Sequence, residues 1–549
     1  MCGISGAIGA LSPKEAASCD AMSARLSHRG PDDSGIWKWG IGEGFGAVLC
    51  HRRLSIIDLR AIAAEPMISP VTGTTLVFNG EIYNFQQLRA VLGAAGDRFI
   101  TNGDTEVILH GYDRWGLDIF SRLRGMFALV LVDPRNKRAV LARDGYGIKP
   151  LYWARFAGAD GRPALAFASE GRALVEAGFA ARRTDPRRVG QYLWNGFMPG
   201  PHTIWTDVEE VPRGCYAVLD DQHVEPRFER FWNVGSSLGS APSIGIEDAD
   251  RLIAESVKLH LIADVPLAVF LSGGVDSTAI AAAAAPQVGE LHTVSVAFTD
   301  AAADERRFAA QAAKAIGTNH HVVELSAQSI LADIEGAVAA LDQPSFDGIN
   351  SWFVSREAVG LGYKVALSGA GGDELSGGYS SFRRALRVQT AMSVPWGSLV
   401  AGLAGRLLEK VRPDSKAGQL GRAFGSLEQM YQTQYALFSV GTLRHLLVDA
   451  SAPIGWGIDE QRASGLAAEI WSLSTLQAVT ALESEPESTS GFCSSGVPNW
   501  APCPGLASES DSTLAVESGS FPTFNGNSLP RLECKSRFAF SSARCSVWA

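Results

Sequence analysis

No pair of cysteines in this chain stands as CxxC, which removes the usual spacing of a structural zinc site. The eight cysteines are spread unevenly. Cys2, Cys19, Cys50 and Cys215 cover most of the length, while Cys493, Cys503, Cys534 and Cys545 crowd the end. Positive charge is also in deficit: 48 Lys and Arg against 58 Asp and Glu leave a net charge of −10, which argues against nucleic acid as a partner. No charged stretch leading into an apolar run opens the sequence, so no secretory signal is read there. The most apolar later stretch, MSVPWGSLVAGLAGRLL, carries a proline and an arginine and is short for a bilayer span. A soluble, cytoplasmic protein is expected. No internal repeat is found.

What is present is 549 residues of ordinary globular composition, 46% apolar and 19% charged, enough for two or three domains. Up to about residue 195 the chain reads as β-rich, with short apolar or alternating runs such as TTLVFNG, MFALVLVD and RAVLARD between glycine-containing turns. Two more strands are expected around Gly214, then NVGSSLGSAPS reads as a linker. From about 246 the pattern changes to strands alternating with helices, the mark of a doubly wound parallel sheet. RLIAESVKLHLIAD has helical period, PLAVFLSGG is a buried strand entering a glycine loop, and STAIAAAAA forms a helix. HTVSVAFTD and YKVALSGAGG repeat the strand, and residues 380–470 read as mostly helical. After about Glu483 the chain turns serine-rich, with no helical or strand period.

Three constellations carry chemistry. SGGVDST, Ser272 to Thr278, follows a strand and precedes a helix, so small residues let backbone N–H groups approach phosphate oxygens at a helix N-terminus. No Gly-Lys-Thr follows, which excludes a Walker A loop. Asp276 in such a loop can hold Mg²⁺. LSGAGGDELSGGY, Leu367 to Tyr379, places Asp373 and Glu374 among glycines at the end of a second strand, and two such loops face one crevice in an open α/β sheet. The third is dispersed: MCGISGAIGA, HRGPDDSG, HRRLSIID, FNGEIYNF, TNGDTE and ARDGYGIKPLYW, each alone a polar turn. With Met1 removed, the Cys2 thiol sits beside its own α-amine, which can serve it as a base. Arg53 suits a carboxylate, Asn79 and the Gly80 N–H suit an oxyanion, and Glu81 and Asp104 suit an ammonium.

Taken together these strings resemble the class II, N-terminal-nucleophile glutamine amidotransferases joined to an asparagine-synthetase ATP-pyrophosphatase domain, from residue 1 to about 380 and more loosely beyond. The resemblance implies a four-layer αββα glutaminase fold at residues 1–195, connecting strands and linker at 196–245, and a parallel-sheet α/β ATP domain at 246–483. It implies Cys2 as nucleophile, Asn79 and Gly80 as oxyanion hole, and glutamine held by Arg53, Leu54, Ser55, Ile56, Ile57, Glu81 and Asp104. ATP would lie on Leu271, Ser272, Gly273, Gly274, Asp276, Ser277, Val296, Ser368 and Gly369, with Mg²⁺ at Asp276 and Asp373. Ammonia would travel inside the protein to an adenylated carboxylate, aspartate in the named family. The partners implied are glutamine, ATP and the acceptor acid, and a homodimer is compatible with them.

The chain also departs from the pattern. Ala370 stands where asparagine synthetases carry an acidic residue, and DQPSFDGINSWFVS differs from their version of that segment. Both leave open an acceptor from a polysaccharide or secondary-metabolite setting. The arginine-rich segment and later lysine of the family are not found in 484–549. A frame slip near Glu483 is one reading of that tail, a disordered extension another. The leading expectation is a glutamine-dependent asparagine synthetase or a close paralogue. The alternatives are an amidotransferase acting on another carboxylate and a synthetase-defective glutaminase or scaffold, and the tail adds the expectation of a competent glutaminase with a poor synthetase.

Overall fold

The computed structural model describes residues 1–233 (Glu43 apart), 245–298, 306–376 and, with interruptions, 378–446. The expected linker falls almost wholly outside them, as do residues 447–470 of the expected helical region and the whole serine-rich tail. Within them, twelve strands precede residue 231: β1 Gly3–Ala10, β2 Asp33–Trp39, β3 Phe45–Arg53, β4 Met67–Ile68, β5 Thr75–Ile82, β6 Gly125–Asp133, β7 Arg138–Arg143, β8 Tyr152–Ala157, β9 Pro163–Ala168, β10 Glu209–Glu210, β11 Cys215–Asp220 and β12 Phe228–Arg230. They form two six-stranded sheets, ordered β10-β8-β9-β1-β3-β2 and β12-β11-β7-β6-β5-β4. The strands expected around Gly214 are β11 and β12, which extend the second sheet.

Period-two alternation builds four layers. Ile4 and Ile8 of β1, Ala47 and Leu49 of β3, Ala128, Val130 and Val132 of β6, and Leu165 and Phe167 of β9 meet between the sheets. Their neighbours in sequence face outward. Ala7, Val48, Cys50, Ala164 and Ala166 pack on helix Pro13–Arg25. Phe78, Phe127, Leu129 and Leu131 pack on helices Phe85–Ala94 and Thr105–Trp115. The first helix is fixed by a capping box, in which the Ser12 hydroxyl accepts from Lys14 N at 3.2 Å and Glu15 accepts from Ser12 N at 2.8 Å. Pro13 begins its first turn, where a missing N–H costs nothing.

The remaining strands, β13 Leu267–Phe270, β14 His292–Phe298, β15 Asn319–Leu325 and β16 Val365–Leu367, form a parallel sheet in the order β15-β14-β13-β16. Helices cover both faces. Val269, Leu271 and Leu367 pack with Val257, Ala281 and Ala313, and Ala268, Phe270 and Val294 pack with Val354, Ala358 and Tyr363. The strand order reverses between β13 and β16, so the crevice of this sheet opens where those two strands end. Of the helices read in 380–470, Gly397–Val411 and Lys416–Ala423 are described. No helix among the described residues is long and apolar enough to cross a membrane.

The two halves meet through buried polar contacts. Asp342 accepts from Gly171 N at 2.9 Å and Arg172 N at 2.7 Å, and Gln343 Oε1 accepts from Ile204 N at 2.9 Å. The divergent DQPSF segment is thus spent on seating the first half. Tyr83 lies against His260 with ring centroids 4.0 Å apart.

Phe167 is fully buried between the two sheets. Phe167→Ala is expected to lower the stability of the sandwich by about 3–5 kcal/mol, the usual cost of emptying so large a core position. Urea unfolding checks this; a loss below about 1 kcal/mol would mean that the inter-sheet core does not hold the first half together.

Candidate active site

The inner stripe of the sandwich turns polar at one end. Residues of like parity along a strand share a face. Continuing Ile8 and Ile4 along β1 therefore reaches Cys2, and continuing Ala47 and Leu49 along β3 reaches His51 and Arg53. Val77 of β5, also between the sheets, leads to Asn79 and Glu81. FNGEI is therefore the carboxyl end of an inner strand, and Tyr83 and Asn84 form the turn that leads into the next helix. The strand pairs with β6 from Asn79↔Ala128 to Ile82↔Gly125. Its polar residues are tolerated there because they line an opening instead of a dry core.

Cys2 is half-buried, whereas Cys19, Cys50 and Cys215 are buried. Burial pushes the Cys19 thiol far up and that of Cys50 up to about 12, so neither offers a thiolate. The Cys2 sulfur accepts from Leu54 N at 3.4 Å, and its carbonyl accepts from Arg29 Nε at 3.2 Å. The Met1 amine is buried beside it, and that burial takes its pKa down to about 5. Asn79 is 1% exposed and its Nδ2 donates to no group among the described residues, a buried donor suited to a ligand. Burial raises the Glu81 carboxyl to about 7 against the pull of Lys149, and raises Asp104 to about 6. Asp104 also accepts from Ile82 N at 2.8 Å, which ties it to the strand end beside Glu81. Arg53 is buried, and its guanidinium donates to Asp58 O at 2.6 Å and Arg60 O at 3.2 Å.

Several residues of this site were not singled out in the sequence. Glu65 is buried with His51 at 3.6 Å; it accepts from Phe78 N at 2.6 Å and Thr105 Oγ1 at 3.2 Å, and burial raises it to about 7. Glu170 pairs with His28 at 2.7 Å and Arg29 at 3.3 Å, behind Cys2. Lys149 is delivered by a loop that Arg143 and Asp144 hold: Arg143 donates to the carbonyls of Gly147 and Lys149, and Asp144 accepts from the N–H groups of Phe127, Tyr146, Ile148 and Lys149. Only period-two parity could have pointed to His51; nothing local marks Glu65, which acts from another loop.

At the crevice of the parallel sheet, Ser272 and Ser277 hydroxyls lie 3.0 Å apart across the first glycine loop. Gly273 has φ +82°, and a Cβ there would fall 2.5 Å from Ala309 N, so the loop needs glycine on both counts. The second loop lies directly on the first: a Cβ on Gly372 would sit 2.5 Å from Asp276 Cγ, and one on Gly369 2.7 Å from Ser277 N. Burial and then the charge of Asp373 raise the Asp276 carboxyl, as expected of two carboxylates converging. Ser368 is buried and accepts from Ala370 N at 3.1 Å. Leu271 and Val296 share the rim but not a face, since Leu271 joins one cluster of the sheet and Val296 packs against the other.

An open cavity of about 600 Å³ touches both regions. Met1, Leu54, Ile56 and Glu81 line it from the sandwich, together with Met126 and Lys149. His260 and the run Lys364–Ser368 line it from the other half. Burial takes the His260 imidazole down to about 4, so it presents no charge to this space at neutral pH.

Two family models match the chain: a glutamine amidotransferase domain over residues 1–232 and an asparagine synthase domain over residues 248–485. Among curated relatives, a Mycobacterium tuberculosis protein provisionally named asparagine synthetase [glutamine-hydrolyzing] is 35% identical, over 83% of this chain and 74% of its own. Asparagine synthetase [glutamine-hydrolyzing] 1 of Bacillus subtilis is 32% identical over 78% of this chain and 66% of its own length. Asparagine synthetase B of Escherichia coli is 32% identical over 66% and 62%.

Glu81 carries a pH signature. Its folded pKa near 7 lies above the ordinary value of 4.5, so the folded state binds its proton more tightly. The resulting penalty is absent below about pH 4.5 and complete above about pH 7. Glu81→Gln should therefore raise stability at pH 8 by about 3 kcal/mol at most, with the gain vanishing near pH 4.5. Melting temperatures of both proteins across that range check it; a gain independent of pH would contradict the assignment.

Proposed function

Because this chain belongs to the family of glutamine-hydrolysing asparagine synthetases, carbon–nitrogen ligases with glutamine as amide donor, we propose that it makes L-asparagine, L-glutamate, AMP and pyrophosphate from L-aspartate, L-glutamine, ATP and water. The observation that carries this reading is the cavity that borders Cys2's neighbours at one side and the end of β16 at the other. In this reading residues 1–195 are the glutaminase and 246–483 the synthetase, with 196–245 between them.

Removal of Met1 turns Cys2 into an N-terminal nucleophile whose own α-amine can serve its thiol as a base. The sulfur bonds to the amide carbon of glutamine, and the thiol proton passes through that amine to the departing nitrogen. Ammonia leaves, and water hydrolyses the thioester to glutamate. The unpartnered Asn79 Nδ2 and the Gly80 N–H receive the oxyanion. Arg53 takes the substrate carboxylate, Glu81 and Asp104 its ammonium, and Leu54 to Ile57 the wall. Ammonia then crosses the cavity, whose lining His260 stays neutral.

In the second half, ATP lies on Ser272, Gly273, Gly274, Ser277, Ser368 and Gly369, with Leu271 and Val296 at the rim. The acceptor carboxylate attacks the α-phosphorus as pyrophosphate departs, and ammonia then displaces AMP from the acyl carbon. Asp276 and Asp373 suit Mg²⁺, an ion that uses one or two carboxylates and completes its shell with phosphates and water. No cluster of three or more His, Cys, Asp or Glu ligands occurs among the described residues, as that mode requires none. Bound there, the ion would neutralise charge on the phosphates.

Cys2→Ala should abolish glutamate release from glutamine. Asp276→Asn should slow pyrophosphate release roughly a thousandfold or more, since several kcal/mol of charge stabilisation is lost, and leave glutamate release intact. Mass spectrometry of products from glutamine, ATP, Mg²⁺ and aspartate tests the whole reading. Asparagine and AMP are expected in equal amounts; glutamate alone would refute the synthetase half.

A further inference from the structure

The segment Arg53–Asp58 that borders Cys2 is held from both halves of the chain. Asp264, just before β13, grips it twice: its carboxylate accepts from Asp58 N at 2.8 Å, and its own N–H donates to Ile56 O at 2.9 Å. The turn needs such a grip, because Asp58 sits at φ +50°, a conformation a non-glycine residue rarely adopts. That turn sets where Arg53 stands, since Asp58 O accepts from the Arg53 guanidinium at 2.6 Å. Asp58 is pinned further from its own half: its carboxylate accepts from Arg60 Nε and Nη2 at 2.6 Å each and from Asn102 N at 2.7 Å. A second strut comes from Lys364, just before β16. Its ammonium lies 2.8 Å from Asp32, whose same oxygen accepts from Ser55 N at 2.7 Å. Against partial desolvation, those two donors hold the carboxyl of the exposed Asp32 below its ordinary range.

We propose that Asp264 is a positioning residue for glutamine, acting through the Ile56–Asp58 turn on the Arg53 guanidinium, with Lys364 as an auxiliary strut. The proposal rests on the reading of Arg53 as the glutamine carboxylate clamp. It means that the glutamine site is not complete in the amidotransferase half alone. It takes its final shape from the ends of β13 and β16, the two strands whose opposite ends carry the glycine loops.

The test is steady-state glutamate release by the full-length chain. Asp264→Ala is expected to raise KM for glutamine about tenfold with kcat within about twofold, and Lys364→Met to raise KM less. Asp264→Asn should restore KM, because its amide oxygen still accepts from Asp58 N. An unchanged KM in Asp264→Ala would overturn the proposal, as would an Asn variant as impaired as the Ala variant. Equal falls in kcat and melting temperature without a change in KM would do so too. Arg53→Ala is measured alongside: if it leaves KM unchanged, the clamp reading has failed, independently of what Asp264 does.

Discussion

A sheet sandwich must keep its inner faces dry, and in this molecule that rule is suspended at the end where Cys2 lies. The stripes that bury Ile4, Leu49 and Val77 continue without a change of period into Cys2, His51, Arg53, Asn79 and Glu81. Position in the pleat thus makes the site, and the apolar residues behind it make the pleat rigid. The consequence is electrostatic. Glu65, Glu81 and Asp104 are all pushed up by burial, and each is tied to a neighbour that limits the cost. Such clustering of perturbed carboxyls around an unpartnered donor marks a place built for a polar ligand.

The same economy governs how the halves join. The first half presents loops with bare N–H groups, at Gly171, Arg172, Ile204, Ser55 and Asp58, and most of their acceptors are side chains of the second half. Asp342 is so enclosed that burial raises it to about 6, a strain offset by two backbone donors. Directional bonds of this kind fix angle and register, which apolar contact alone would leave loose. They also explain how a cavity lined from both halves keeps one shape.

The elements that the sequence made legible are those with a strong period of their own. TTLVFNG, MFALVLVD and RAVLARD became β5, β6 and β7, and the two glycine loops came together because the strand order reverses between them. In the first half the strands carry their own period, whereas the outer helices follow only from the αββα resemblance, because alanine and glycine weaken their pattern, as in Phe85–Ala94. FNGEIYNF looked like a turn because polar residues and an Asn-Gly pair outweighed alternation in so short a window. Glu65 and Glu170 could not be found, since each acts across the fold from a segment with no pattern. DQPSF differs from the family's version of the segment, and its Asp342 and Gln343 accept from backbone N–H groups of the other half, a contact no local pattern announces.

In the proposed function the two sites share one route, along the cavity lined from both halves. That sharing is tested most directly by giving the full chain ATP, Mg²⁺, aspartate and ¹⁵N-amide glutamine in the presence of a large excess of unlabelled ammonium. The account predicts asparagine whose amide stays predominantly ¹⁵N. An amide labelled only to the ratio of nitrogen in bulk solution would contradict it.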